Sequence, residues 1–302
     1  MRTVAAAALL AGVLAAGAAG AASAPVVVAK IAVPVATAPC TAFKGGRFVW
    51  VSLFQGGALL RIDPATNKVV GRTKVGNGAC GMGFGAGSLW VEDTTSSTVS
   101  RVSAATGKRV AVITVGAQPY DATYAFAAAW VTSFLDRTVE KINPRTNRVV
   151  RRIRFGSSPA GLVAAFGSIW VADPNDGVAR IDPRTNRIVA RIMVPVATWT
   201  AASADAVWIT QPRLNSITRI DPATNKVTAT VKVGTQPGDP AVVGGDVWVP
   251  NVKGNSVSIV DPSTNTVRET LAVGKGPFVV TEINGEAWIP SWQGRDVWRV
   301  RP

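Results

Sequence analysis

The sequence predicts an all-β protein, a seven-bladed β-propeller of four-stranded antiparallel blades, and three observations predict it. Tryptophan recurs at Trp50, Trp90, Trp130, Trp170, Trp208, Trp248 and Trp288, at spacings of 40, 40, 40, 38, 40 and 40 residues, and a fixed period of about 20 to 50 residues marks a repeat architecture. Each tryptophan is followed by Val or Ile and then by an alternating "RID"-type segment, the period-two signature of strands. The two ends of the chain are complementary. The last repeat stops at "DVWRVRP" after its third strand, while residues 26–35 read as the fourth strand it lacks. Pairing the two closes the ring and leaves no open edge.

In chain order, residues 1–24 carry one early Arg, an apolar stretch and a small-residue end, which reads as a secretory signal peptide. The domain itself is expected over 25–302, with blades at about 39–75, 79–115, 119–155, 159–194, 197–233, 237–273 and 277–302, the last completed by 26–35. The seven strictly periodic tryptophans are expected to pack blade against blade. A second anchor lies 16 or 17 residues after the tryptophan, at Asn67, Gly107, Asn147, Asn186, Asn225 and Asn265. Asn and Gly tolerate positive φ, and the Asp-Pro pairs just before four of them preset the turn. "DPxTN" is therefore punctuation between the third and fourth strands.

Cys40 and Cys80 each stand ten residues before their blade's tryptophan. Equivalent positions on neighbouring inner strands fall within disulfide reach, and an even cysteine count in an exported chain favours a bond between them. No apolar run after the leader is long enough to span a bilayer. A low-cysteine, histidine-free composition offers too few ligands for a structural zinc site.

The repeat "P-x-G…G-x-[LI]-W-V-x-D…R-I-D-P-x-T-N-[KR]", clearest over 159–194, resembles that of the virginiamycin B lyase (streptogramin lyase) and YVTN-type propellers. That resemblance covers nearly all of the chain after the leader. It implies a seven-bladed ring and, for the lyase branch, ring-opening elimination of a cyclic depsipeptide by a histidine base with a divalent cation. This chain has no histidine, so no catalytic residue carries over by match. A lyase built on it would need a carboxylate base of raised pKa, with a divalent cation as its cofactor; otherwise no cofactor is expected.

A site is expected where the repeats differ. On one face of the ring, the loops entering the inner strands bring Tyr120, Asp121, Trp199, Asp239 and Phe278, and those following the tryptophan strand bring Phe54, Glu92, Phe134, Asp173, Trp292, Arg213 and Lys253. Aromatic walls with sparse carboxylates suit a small molecule, a peptide or a glycan. The formal net charge of +14 concentrates on outer strands, at Lys68, Arg72, Lys108, Arg109, Arg148, Arg151, Arg187, Arg191, Lys226 and Lys232. A basic rim of this kind would adhere to anionic envelope polymers. Nothing resembles a nucleic-acid motif. The expectation is a secreted, monomeric, bacterial binding or scaffold module with its ligand at the channel mouth.

Overall fold

The computed structural model describes residues 24–33 and 37–302. The stretch read as an export leader, 1–24, lies outside the described residues except for its last residue. The described chain folds into seven four-stranded antiparallel sheets, each a meander, so the chain runs outward through a blade and returns to the axis to begin the next. In blade 1 the strands are Pro39–Gly45, Phe48–Leu53, Ala58–Asp63 and Lys68–Lys74. The ring closes as expected. The N-terminal strand Val26–Ala32 pairs antiparallel with Asp296–Arg301 and becomes the outer strand of blade 7.

The turn chemistry holds in detail. Asn67, Asn147, Asn186, Asn225 and Asn265 all have φ between 53° and 57°, and Gly107 has 74°. In the Asp-Pro turns the aspartate accepts the amide two residues on, as Asp63 does from Ala65 at 2.9 Å. All seven repeat tryptophans lie on second strands and are at most 1% exposed. Each packs in a cluster with the next blade: Trp50 with Leu89 and Val91, Trp170 with Val207 and Ile209, Trp288 with Val49 and Val51. Several indoles donate to the carbonyl five residues earlier, at 3.1 Å for Trp50, Trp90, Trp130 and Trp170.

A second tie between blades runs through the third strand. Arg101, Lys141, Arg180 and Arg299 lie over their own blade's tryptophan ring, a cation–π placement. From there each donates to the Pro carbonyl and Asn Oδ1 of the turn in the following blade; Arg180, for example, reaches Pro222 O at 2.8 Å and Asn225 Oδ1 at 3.1 Å. Arg101 reaches Pro144 and Asn147, Lys141 reaches Pro183 and Asn186, and Arg299 crosses the closure to Pro64 and Asn67. Blade 6 has Ile259 at this position. Its neighbour, blade 7, takes its outer strand from the N-terminus and has no such turn, so a cation there would find no acceptor.

Cys40 and Cys80 form a disulfide between the inner strands of blades 1 and 2, with Cα atoms 5.1 Å apart. The ten basic residues named for the rim are all exposed.

Candidate functional site

The meander places two sets of loops on one face, here the upper face: those entering the inner strands and those joining second to third strands. The six aromatic residues expected there meet as one continuous chain of rings. Phe134 contacts Tyr120 at 5.3 Å between centroids, Tyr120 stacks on Trp199 at 5.0 Å with 13° between planes, and Trp199 meets Phe278 edge-on at 5.1 Å. Phe278 then meets Trp292 at 5.7 Å, and Trp292 meets Phe54 at 4.9 Å. These are favourable aromatic geometries. Blades 1, 3, 5 and 7 thus contribute rings to a single lid over the axis.

The carboxylates do not share that surface. The lid separates two cavities that have no lining residue in common. Above it lies a cavity of about 570 Å³ bounded by Tyr120, Trp199 and Phe278, by Pro174, Val196, Pro212, Pro237 and Val252, and by Thr198, Asn215, Thr235, Gln236, Arg213 and Lys253. Below it, the axial channel encloses about 270 Å³ and is lined by Gly81, Asp121, Thr200, Asp239 and Val279, continuing to Thr123, Ala202, Val242, Thr281 and Glu282 near the opposite face. The physical reason is a β-bulge in the inner strand of blade 3, where the register shifts between Pro119 and Asp121. The bulge sends Tyr120 to the lid and its neighbour Asp121 into the channel. In blade 6, Gly238 allows the Phe278 carbonyl to approach, where a Cβ would collide with it. Asp239 can therefore bridge to Val279 in parallel fashion, and the axis narrows.

Glu92 is fully buried, its carboxylate accepting from the Gly81 amide at 2.7 Å and the Thr94 hydroxyl at 2.8 Å. It occupies the position at which Ser52 and Thr132 tie their blades to the next, and it lines neither cavity. Asp173 is also drawn into structure. It accepts from the Ser157 hydroxyl and from the amides of Asn175 and Asp176, holding the loop of blade 4. Of the residues expected at the mouth, the structure brings the six rings together, puts Asp121 and Asp239 beneath them, and leaves Glu92 and Asp173 as internal ties.

The buried carboxyls in and beside the channel are hard to ionise. Burial raises Glu92 well above the usual carboxylate range, with a smaller contribution from the Asp121 charge. Burial pushes Asp121 up to about 7 against two amide hydrogen bonds, from Ala122 and Leu162. Asp239 is raised well above its ordinary value by burial first and by the Asp121 charge second. The Tyr120 phenol is raised by burial and then by the Glu92 and Asp121 charges. A carboxyl with a higher pKa in the folded chain holds its proton more tightly when folded. Its contribution to stability is full below the unfolded value of about 4 and is lost as pH rises through the folded value, about 7 for Asp121.

The chain has no histidine, and Asp93, which burial raises to about 6, loses its proton across the same window with the same sign. The melting temperature is therefore expected to fall as pH rises across that window, with a stability slope of up to about 1.4 kcal/mol per pH unit for each proton released. Asp239→Asn should flatten the slope. A wild-type melting temperature constant from pH 5 to 8 would contradict the burial of these groups.

A divalent cation, implied by the resemblance to the lyases, does not fit the donors present. Among the described residues, no group of three or more His, Cys, Asp or Glu is arranged to hold a metal ion, and the nearest approach to one, the channel carboxyls, is driven toward the neutral form.

The outer cavity was only partly legible in the sequence. At the fourth residue after each repeat tryptophan, blades 1, 3 and 7 carry the rings Phe54, Phe134 and Trp292, whereas blades 4, 5 and 6 carry Pro174, Pro212 and Val252. The cavity lies where the rings are missing. That contrast is written in the repeats, but each proline read singly is loop punctuation, and a lone Val196 carries no signal of its own.

No family model and no curated protein matches the sequence. Among solved structures, the chain is similar to virginiamycin B lyase from Staphylococcus aureus, at 15% identity and a TM-score of 0.79, over 91% of this chain and 98% of that one. It is similar to hydrazine synthase from Kuenenia stuttgartiensis, at 17% identity and a TM-score of 0.73, over 88% and 96%. It is also similar to the WD40 β-propeller domain of Doa1, at 11% identity and a TM-score of 0.76, over 91% and 96%. Proteins with such different titles share one scaffold, and at these identities what this chain has in common with them is the fold: it is a seven-bladed β-propeller whose surface, not its blades, must account for what it does.

Proposed function

We propose that this protein is an exported binding module that holds a small ligand, such as a small molecule, a short peptide or a glycan, on the aromatic lid of its upper face. The observation that carries this reading is the cavity of about 570 Å³ floored by Tyr120, Trp199 and Phe278 and walled by prolines. Its size lies within the range of about 300 to 1,000 Å³ typical of ligand pockets, and the edges of the stacked rings, with the prolines, give it an apolar floor and wall. Export is supported by the Cys40–Cys80 bond, since disulfides persist in oxidising compartments. Among the described residues no helix is long and apolar enough to cross a membrane. The carboxyls that a histidine-free lyase would need line the channel beneath the lid rather than this cavity, which favours binding over turnover.

The test is a thermal-shift screen against glycans, peptides, cyclic depsipeptides, divalent cations and anionic polymers at low and high salt. A ligand at 100 times its Kd should stabilise the fold by about 2.7 kcal/mol. The expected result is a shift that persists at high salt and is lost in Trp199→Leu and Phe278→Leu. Shifts confined to anionic polymers at low salt would move the working surface to the basic rim.

A further inference from the structure

The outer cavity has a polarity that its aromatic floor does not explain. At the fifth residue after the repeat tryptophan the seven blades carry Gln55, Thr95, Leu135, Asn175, Arg213, Lys253 and Gln293. The two cations fall on adjacent blades, 5 and 6, and both line the same cavity. Both are exposed, and among the described residues neither has an ion-pair or side-chain hydrogen-bond partner. Several other arginines are engaged: Arg101, Arg180 and Arg299 clasp the next blade's turn, and Arg152, Arg191 and Arg268 pair with Glu140, Asp176 and Asp246. The cavity lining contains no Asp or Glu. Two of the neutral polar groups in the lining are already committed: Asn215 Oδ1 accepts from the Gln236 backbone amide at 2.9 Å and the Thr198 hydroxyl donates to Val196 O at 3.0 Å.

Two unpaired cations beside an aromatic floor, with no acid to oppose them, match a ligand with an aromatic body and an anionic end. Tyr120 is stacked between Phe134 and Trp199, so the floor presents ring edges, the positive end of the aromatic quadrupole; the ligand's ring packs edge-on against them and against the prolines, while the anion is held at the cavity edge by the two cations. A guanidinium presents a fork that fits carboxylate or phosphate oxygens, and a lysine adds a second point charge. We propose that this cavity selects a small aromatic anion, with Arg213 and Lys253 as its specificity-determining residues. The proposal rests on the reading of the lid as a ligand platform and adds the charge of what it takes.

The test uses four probes that share one ring system: 1-naphthaleneacetate, 1-naphthyl phosphate, 1-naphthaleneacetamide and 1-naphthylmethylamine. Their dissociation constants are measured by ligand-observed NMR at 150 mM salt. At least one anion should bind ten-fold or more tighter than the amide, with the amine weakest, and the tighter of the two identifies the headgroup as carboxylate or phosphate. In R213Q/K253Q, two exposed substitutions that leave the core untouched, the anion should fall to the amide's affinity while the amide is unchanged. Equal binding of anion and amide, both weakened by Trp199→Leu, would overturn the anion selectivity and leave the binding platform standing. Binding by none of the four, or binding indifferent to Trp199→Leu, would overturn both.

Discussion

A chain lacking residues 26–33, the strand Val26–Ala32 and the Val33 that follows it, is expected to lose the cooperative unfolding transition of the full ring. That strand supplies the fourth member of blade 7, pairing from Val26 opposite Arg301 to Ala32 opposite Asp296. Ile31 and Val33 belong to the cluster that joins Trp288 and Val297 of blade 7 to Val49, Val51 and Leu60 of blade 1. Burying each such side chain is worth about 1.5 to 3 kcal/mol, and Lys30 lies over the Trp298 ring, 4.0 Å from its centroid. Without the strand, Asp296–Arg301 becomes an unpaired edge at the seam of the ring. The summed loss approaches the roughly 5 to 15 kcal/mol by which domains are stable at all. In urea denaturation followed by circular dichroism, the truncated chain should unfold at much lower denaturant or without a sharp midpoint. A midpoint equal to that of the intact domain would mean the ring does not depend on this closure.

The disulfide should have the next largest effect. Cys40 and Cys80 are 40 residues apart in sequence, and closing a loop of that length in the unfolded chain corresponds to about 4 kcal/mol in the chain-entropy model. The bond joins blade 1 to blade 2, beside the seam where blade 7 meets blade 1, so seam and bond together hold three consecutive blades. Cys40→Ala/Cys80→Ala should melt well below wild type, and adding reductant to the wild type should bring it to the same temperature. Coincident melting of wild type and double variant, with and without reductant, would rule out a stabilising bond.

Much of this architecture is legible in the residues because repetition amplifies weak signals. A lone Trp-Val says little, but seven at one spacing reveal the strand, its burial and its partner blade. The turn asparagines, the closure and the disulfide follow from the same register. The clasp was written there too: a cation stands 10 or 11 residues after the tryptophan in six blades and Ile259 in the blade whose neighbour lacks the turn. It reads as ordinary strand alternation until the structure shows that Asn147, Asn186, Asn225 and Asn67 accept hydrogen bonds as well as tolerating positive φ. The site was legible by membership and not by depth. Tyr120 and Asp121 are adjacent in sequence, and only the bulge that separates them decides that one faces outward on a lid and the other inward on a channel. Glu92 and Asp173 read as mouth residues because one partner of each, the Gly81 amide and the Ser157 hydroxyl, lies 11 and 16 residues away and shows only in the fold, although their other partners are local.

Ligands are expected to bind on the ring lid and leave the blades and the channel alone, and the ten tryptophans report on this directly. Seven are blade residues, Trp199 and Trp292 belong to the lid, and Trp298 lies at the closure. In protein labelled with 5-fluorotryptophan and titrated with 1-naphthaleneacetate, the fluorine NMR resonance assigned to Trp199, which lines the cavity, should move, and those of the seven blade tryptophans and Trp298 should stay in place. Movement of Trp298 or of the blade resonances, with Trp199 unshifted, would contradict this expectation.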